Sequence, residues 1–160
     1  MQKRWRNLLD SFRYAFRGLF YCIASQRNLR IHLVIAAYMA YFATFYQFGA
    51  VQYAILLVAT ALVIATEMVN TAIEALTDRF TPAFDNSARV AKDVAAGAVL
   101  ICAIFSVFVG ILLFWNIPTF ALILGTITGS IRSLVLHIVS LAIALWFVFN
   151  NHPWLTGKSK

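Results

Sequence analysis

Five of the six acidic residues, Glu67, Glu74, Asp78, Asp85 and Asp93, fall in one short stretch that long uncharged runs flank on both sides. A charge at bilayer depth costs about 2.5–3.5 kcal/mol even on the lenient insertion scale, so such a cluster marks a candidate functional site where membrane meets water. Glu67, Asn70, Thr71 and Glu74 are spaced to share one helical face, with Asp78 one turn further along. At about 1.5 Å rise per residue the two glutamates stand about 10.5 Å apart along the axis, too far for both to hold one ion directly. Different tasks follow. Glu67, nearer the lipid, is placed to take a proton from a membrane-borne hydroxyl, and Glu74, nearer water, to hold a divalent cation. Lys92 and Asp93 open the next helix, and a lysine beside carboxylates suits a magnesium-bound phosphate. The chemistry this suggests is phosphoryl transfer to a lipid.

Two other readings fit the same spacing. Acids and bases flanking membrane helices are commonly solvated ends or snorkelling anchors, and intramembrane acids also line ion pathways. A pathway would carry charges along several spans, whereas these stop at one boundary. Composition alone does not choose among the three.

The elements that position these residues are membrane helices. With 160 residues, 62% hydrophobic and 12% charged, and a mean hydropathy of +0.80, the chain has too little polar surface for a soluble globule. Ile31 to Thr66 is uncharged and long enough for two crossings, with a break at Gln47-Phe48-Gly49, which predicts helices near 31–47 and 50–69. Val94 to Ile131, interrupted at Asn116-Ile117-Pro118, and Leu134 to Phe149 predict a third span near 94–115 and a fourth near 133–150. Thr119 to Ser130, with Gly125 and Gly129, fits a re-entrant turn, an interfacial segment or a shifted start of the last span. Upstream, Trp5, Leu8, Leu9, Phe12, Phe16, Leu19 and Ile23 recur at helical spacing opposite Arg6, Asp10, Arg13 and Arg17, the pattern of an amphipathic helix on the inner leaflet. Thr81-Pro82 ends the helix carrying the stripe, and Ser87 is the expected cap of the next. The expected fold is all-α: a polytopic transmembrane helical bundle with an amphipathic N-terminal surface helix, three spans and a fourth at the C-terminus.

Lys3, Arg4, Arg6, Arg13, Arg17, Arg27 and Arg30 precede the first span, and Arg79, Arg89 and Lys92 lie between the second and third, while the first hairpin turn has none. By the positive-inside rule the N-terminus and the acidic loop face the cytoplasm; Lys158 and Lys160 return there, and Arg132 lies outside. A basic amphipathic stretch stands where a secretory signal would need an apolar core. The net charge of +7 does not imply a nucleic-acid partner, because the basic residues hug span ends and no aromatic-basic binding module is present. Cys22, Cys102, His32 and His137 read as packing residues, His152 and Trp154 as interfacial, and Trp115 and Trp146 as lipid-facing.

The runs Glu67-Met-Val-Asn-Thr-Ala-Ile-Glu-Ala-Leu-Thr-Asp78 and Ala91-Lys-Asp-Val-Ala-Ala-Gly-Ala-Val99, with Ser11-Phe-Arg-Tyr-Ala-Phe-Arg-Gly18 and Arg27-Asn-Leu-Arg-Ile-His-Leu33 upstream, closely resemble the small prokaryotic diacylglycerol kinase and undecaprenol kinase family. The resemblance covers roughly residues 5–115, and its wording is nearer the undecaprenol-using branch. It implies a multi-pass protein of the bacterial inner membrane, a homotrimer with composite sites between subunits, that uses ATP and Mg2+ to phosphorylate a lipid alcohol, undecaprenol or diacylglycerol. Carried over by position, Glu67 matches the catalytic base, Asn70 an active-site polar residue and Glu74 a metal ligand. Lys92 and Asp93 match nucleotide contacts, Tyr14 a further one, and Asp85 is grouped with them.

Where the family usually has a second metal-binding glutamate, this chain has Gln26, which offers a carbonyl oxygen but no charge. Asp78 or Asp85 could make up the difference. The loss also leaves open a catalytically silent relative that keeps the fold as an assembly partner or lipid-binding subunit. Residues 1–116 form the kinase-like domain and 117–160 a C-terminal extension beyond the resemblance. It could add a peripheral span, help hold lipid or be the remnant of a fused phosphatase-like module; no phosphatase motif is visible, and a structural role is expected.

Overall fold

A computed structural model describes residues 2–80 and 85–150, with side chains from Leu8 onward. The described residues form six helices and no strand: α1 Gln2–Ser25, α2 Arg27–Ala43, α3 Ala50–Phe80, α4 Asn86–Phe114, α5 Ile117–Thr128 and α6 Ile131–Phe149. Thr81-Pro82, His152, Trp154, Lys158 and Lys160 lie outside the described residues, as does the side chain of Trp5.

The breaks between helices have local causes. Gln26 takes an extended conformation, φ −110° and ψ 113°, and that single residue turns α1 into α2. After Ala43 the backbone tightens: Phe45 N–H donates to the Phe42 carbonyl and Tyr46 N–H to the Ala43 carbonyl, three residues back. Gln52 Oε1 then accepts from Gly49 N–H at 3.0 Å, the reaching-back half of a capping box that starts α3. Asn116 accepts from Thr119 N–H at 3.0 Å, with Pro118 in the first turn, where its missing N–H is no loss. Ser130 caps α6 through Ser133 N–H at 3.1 Å. The cap of α4 is Asp85, not Ser87: its Oδ1 accepts from Ser87 N–H at 2.7 Å and Ala88 N–H at 3.1 Å. A carboxylate at a helix start is favoured by the dipole as well as by the orphan N–H groups.

α3 and α4 pair along their length, with Ser106 Oγ donating to the Ala59 carbonyl at 3.1 Å. From there the contacts run α3 to α2, α2 to α6 and α6 to α5, while α1 touches α2 and α3. Among the described residues three helices, α3, α4 and α6, are long and apolar enough to cross a membrane. They correspond to the second, third and fourth spans expected. α2, in the place of the first expected span, stops at Ala43 with 17 residues, about 26 Å at helical rise and at the lower end of the lengths that cross a membrane. The predicted C-terminal span is present as α6. Thr119 to Ser130 is not a shifted start of it: α5 is a separate 12-residue helix with its own cap.

At the end of the bundle away from the acidic residues, Tyr46, Phe48, Tyr53 and Phe114 form edge-on and tilted ring contacts, and the Tyr46 hydroxyl donates to the Phe114 carbonyl at 2.8 Å. His137 is a hydrogen-bonded packing residue, Nδ1 within 2.8 Å of the Ser133 carbonyl.

Candidate active site

Glu67 is the most deeply placed charged side chain among the described residues, 2% exposed on α3 with Asn70 and Thr71 buried on the same face. The Thr71 hydroxyl donates to the Glu67 carbonyl at 2.9 Å, so it binds the backbone and leaves the carboxylate to other partners. Asn28, in the first turn of α2, reaches that carboxylate. Cys22 of α1 lies beside Thr71 and Glu67: burial pushes its thiol pKa up, the Thr71 side chain opposes the rise, and the Glu67 charge adds to it. Glu67 thus sits where α1, α2 and α3 meet, a junction with its backbone groups already committed.

Two turns along α3, Glu74 accepts from Asn70 Nδ2 at 2.9 Å through Oε1 and from Gln26 Nε2 at 3.3 Å through Oε2. Asn70 Oδ1 is buried without a partner. A buried acceptor left unpaired costs about 1–3 kcal/mol, so its retention beside a carboxylate points to a ligand that satisfies it. The Glu74 carboxylate and the Asn70 carbonyl oxygen are the hard donors that a divalent cation of the magnesium type takes. No group of three or more His, Cys, Asp or Glu residues that could hold a metal occurs among the described residues, so an ion there depends on amide oxygens and on oxygens it brings with it. Gln26 turns its Nε2 toward Glu74; offering its carbonyl oxygen instead requires rotating that amide.

One further turn along, Asp78 forms an ion pair with Lys92 across the α3–α4 interface, both side chains substantially exposed. The structure therefore gathers Gln26, Glu67, Asn70 and Glu74 into one cluster, with Lys92 held beside it. It gives Tyr14, Asp85 and Asp93 no bond to that cluster within this chain. Tyr14 lies exposed on α1 with the Arg17 guanidinium 5.8 Å from its ring centre, Asp93 is exposed, and the Asp85 carboxylate caps α4. Asn28 and Thr71 complete the surroundings of Glu67 without a role assigned from sequence.

An apolar groove of about 640 Å³ runs between α2, α3, α4 and the start of α5, from His32 and Val63 to Phe114 and Phe120. Val63 is one turn from Glu67 on the same helix, so the groove approaches the buried carboxylate from below.

Fold and site together define an all-helical membrane protein with a carboxylate-amide cluster at one end of its bundle. Residues 13–114 match the family described as prokaryotic diacylglycerol kinase, and the chain belongs to that family. It is 42% identical over 105 residues to a diacylglycerol kinase of Synechocystis sp., a match covering 65% of this chain and 60% of that protein. It is 31% identical over 104 residues to an undecaprenol kinase of Bacillus subtilis, covering 65% of this chain and 85% of that protein. The matched region is therefore less than two thirds of the length of the Synechocystis relative. The family match ends at Phe114, so α5 and α6 lie beyond it.

Proposed function

We propose that this protein is a lipid kinase that transfers the γ-phosphate of ATP to a membrane alcohol, undecaprenol or diacylglycerol, at the cytoplasmic face of the bacterial inner membrane. The observation that carries the reading is a carboxylate, Glu67, only 2% exposed, between an apolar groove and the Glu74–Asn70–Gln26 cluster. A long hydrocarbon tail in that groove would bring its hydroxyl up to Glu67. Glu67 accepts the hydroxyl proton as the alcohol oxygen bonds to the γ-phosphorus, and the bond from that phosphorus to the bridging oxygen breaks to leave ADP. Glu74 and Asn70 Oδ1 are the residues that would hold Mg2+, which when bound offsets the charge of the phosphates. Lys92 reaches the phosphate chain once it parts from Asp78.

Tyr14, Asp85 and Asp93 are assigned to the nucleotide side. Tyr14 and Asp93 do not meet the cluster within one chain, which favours a homotrimer whose neighbouring subunits complete each site. The exposed apolar residues of α4, among them Leu100, Phe105 and Leu112, offer surface for lipid or for such a neighbour. A cytoplasmic N-terminus is supported by the basic residues before the first span and between the second and third.

Gln26 favours a second reading. Its N–H satisfies Glu74 without any cation, as a catalytically silent assembly or lipid-binding protein would allow. Purified full-length protein, supplied with γ-labelled ATP, Mg2+ and separately undecaprenol, diacylglycerol and ceramide, tests both readings. Label in one lipid product supports the kinase and names its acceptor. Label in none, with lipid still bound, overturns it in favour of the silent protein.

A further inference from the structure

The helix α6 lies beyond the family match, yet its end is bonded to the edge of the site. It runs antiparallel to α2: the Tyr41 hydroxyl meets His137 Nε2 at 3.1 Å, the Tyr38 hydroxyl meets Ser140 Oγ at 3.1 Å, and Arg30 Nε donates to the Val148 carbonyl at 3.2 Å. The same guanidinium continues to α1, where Nη1 donates to the carbonyls of Ile23 at 2.9 Å and Ala24 at 3.1 Å. All three acceptors lie in the last turns of their helices, where carbonyls lack intrahelical partners and the dipole favours a cation. Arg30 is 4% exposed and stands in the first turn of α2, whose own dipole disfavours a cation. Its carbonyl partners on the other two helices offset that placement. Arg27 adds a contact, its guanidinium 5.9 Å from the Phe149 ring centre.

Three helix ends are thereby tied at one point: the end of α1, the start of α2 and the end of α6. Gln26 lies between the residues so tied and bonds Glu74, and Asn28 lies two residues further on beside Glu67. A shift of the α1–α2 junction moves both.

We propose that α6 is a positioning element of the active site, acting through Arg30 to hold Gln26 and Asn28 in register with Glu74 and Glu67. The proposal rests on the kinase reading for its catalytic consequence. Arg30 touches no reacting atom; it acts through the junction.

The test uses full-length protein with Arg30→Met, Arg30→Lys, the pair His137→Leu with Ser140→Leu, and that pair combined with Arg30→Met. Loss of folded protein lowers apparent kcat alone, whereas a displaced junction raises the KM for MgATP. Outer-shell partners of a metal site commonly change affinity about 10–100-fold, and a KM rise of about tenfold is expected for Arg30→Met and for the seam pair. The combination should raise it no further, because both break one linkage. Arg30→Lys should leave KM raised, since a single ammonium cannot bridge two helix ends as the fork does. An unchanged KM in Arg30→Met or the seam pair, effects that multiply when combined, or a lysine variant at wild-type KM overturns the proposal.

A second readout does not need kinase activity. In a Cys102→Ala background, buried Cys22 should react with a membrane-permeant maleimide several-fold faster in Arg30→Met and in the seam pair than in their parent. Equal rates overturn the proposal. If the wild type phosphorylates no lipid, the kinase reading fails while this measurement still decides whether α6 holds the junction.

Discussion

Asn70 gives its Nδ2 hydrogen to Glu74 Oε1 at 2.9 Å while its own buried Oδ1 meets no partner. The amide therefore fixes one oxygen of Glu74 and keeps a second hard donor beside it. Replacing Asn70 by alanine removes both functions but also removes an unsatisfied buried acceptor, which by itself is unfavourable by about 1–3 kcal/mol. Asn70→Ala is expected to lower kcat/KM for MgATP by at least about tenfold, since even outer-shell partners of a metal site are worth about 10–100-fold. Its thermal midpoint without nucleotide should stay close to that of the wild type. Kinase assays and thermal unfolding in the same detergent check the pair; a large fall in both would make Asn70 a folding residue instead.

Gln26→Glu puts a second carboxylate against Glu74, where Nε2 now donates at 3.3 Å. Two adjacent carboxylates repel unless a cation lies between them. The variant should be less stable than the wild type in chelator and regain that stability as Mg2+ is added, and its half-saturating Mg2+ concentration should fall several-fold. Unfolding and activity titrated against Mg2+ measure this. An unchanged magnesium dependence would place the ion away from Gln26.

Much of this site was legible because helical spacing is a strong constraint. Glu67, Asn70, Thr71 and Glu74 share a face by their offsets alone, and the structure puts them on one continuous helix, α3. The α1–α2 junction was legible only as a boundary between polar and apolar composition; nothing in the local sequence indicates that Gln26 turns the chain or that Asn28 comes within reach of Glu67, since both depend on how α1 and α2 pack against α3. The end of α2 was set too late because Thr44, Phe45 and Tyr46 continue the uncharged run, yet their N–H groups bond three residues back and close the helix. Ser87 and Asp85 are both good caps by type, and only the backbone shows which side chain faces the free N–H groups. The bond from Arg30 to α6 spans 118 residues, a separation no local pattern encodes.

Lys92 and Asp78 pair across α3 and α4, both substantially exposed. An exposed pair contributes roughly 0–1 kcal/mol, so neither Lys92→Met nor Asp78→Asn should move the thermal midpoint much. Their kinetic effects should differ. Losing the ammonium removes a phosphate partner and should raise the KM for MgATP at least tenfold, whereas losing only Asp78 frees the lysine and should change KM by less than about threefold. Equal effects would mean that the ion pair itself, rather than Lys92 alone, serves the nucleotide.

Glu67→Gln separates proton transfer from everything else this residue does. The amide has the same size and keeps the backbone bond from Thr71, which ends on the carbonyl oxygen. It cannot take a proton from the alcohol. General-base catalysis is worth about 10²–10⁴-fold, so phosphate transfer should drop by at least two orders of magnitude. Nucleotide binding, which depends on Glu74, Asn70 and Lys92, should remain within a few-fold. Replacing a buried carboxylate by a neutral isostere removes a charge held away from water, so the variant should be at least as stable as the wild type. Binding of a non-hydrolysable ATP analogue, label transfer and thermal unfolding on the same preparation make the comparison. Transfer at the wild-type rate would remove Glu67 as the base and shift attention to Glu74, the other carboxylate in the cluster.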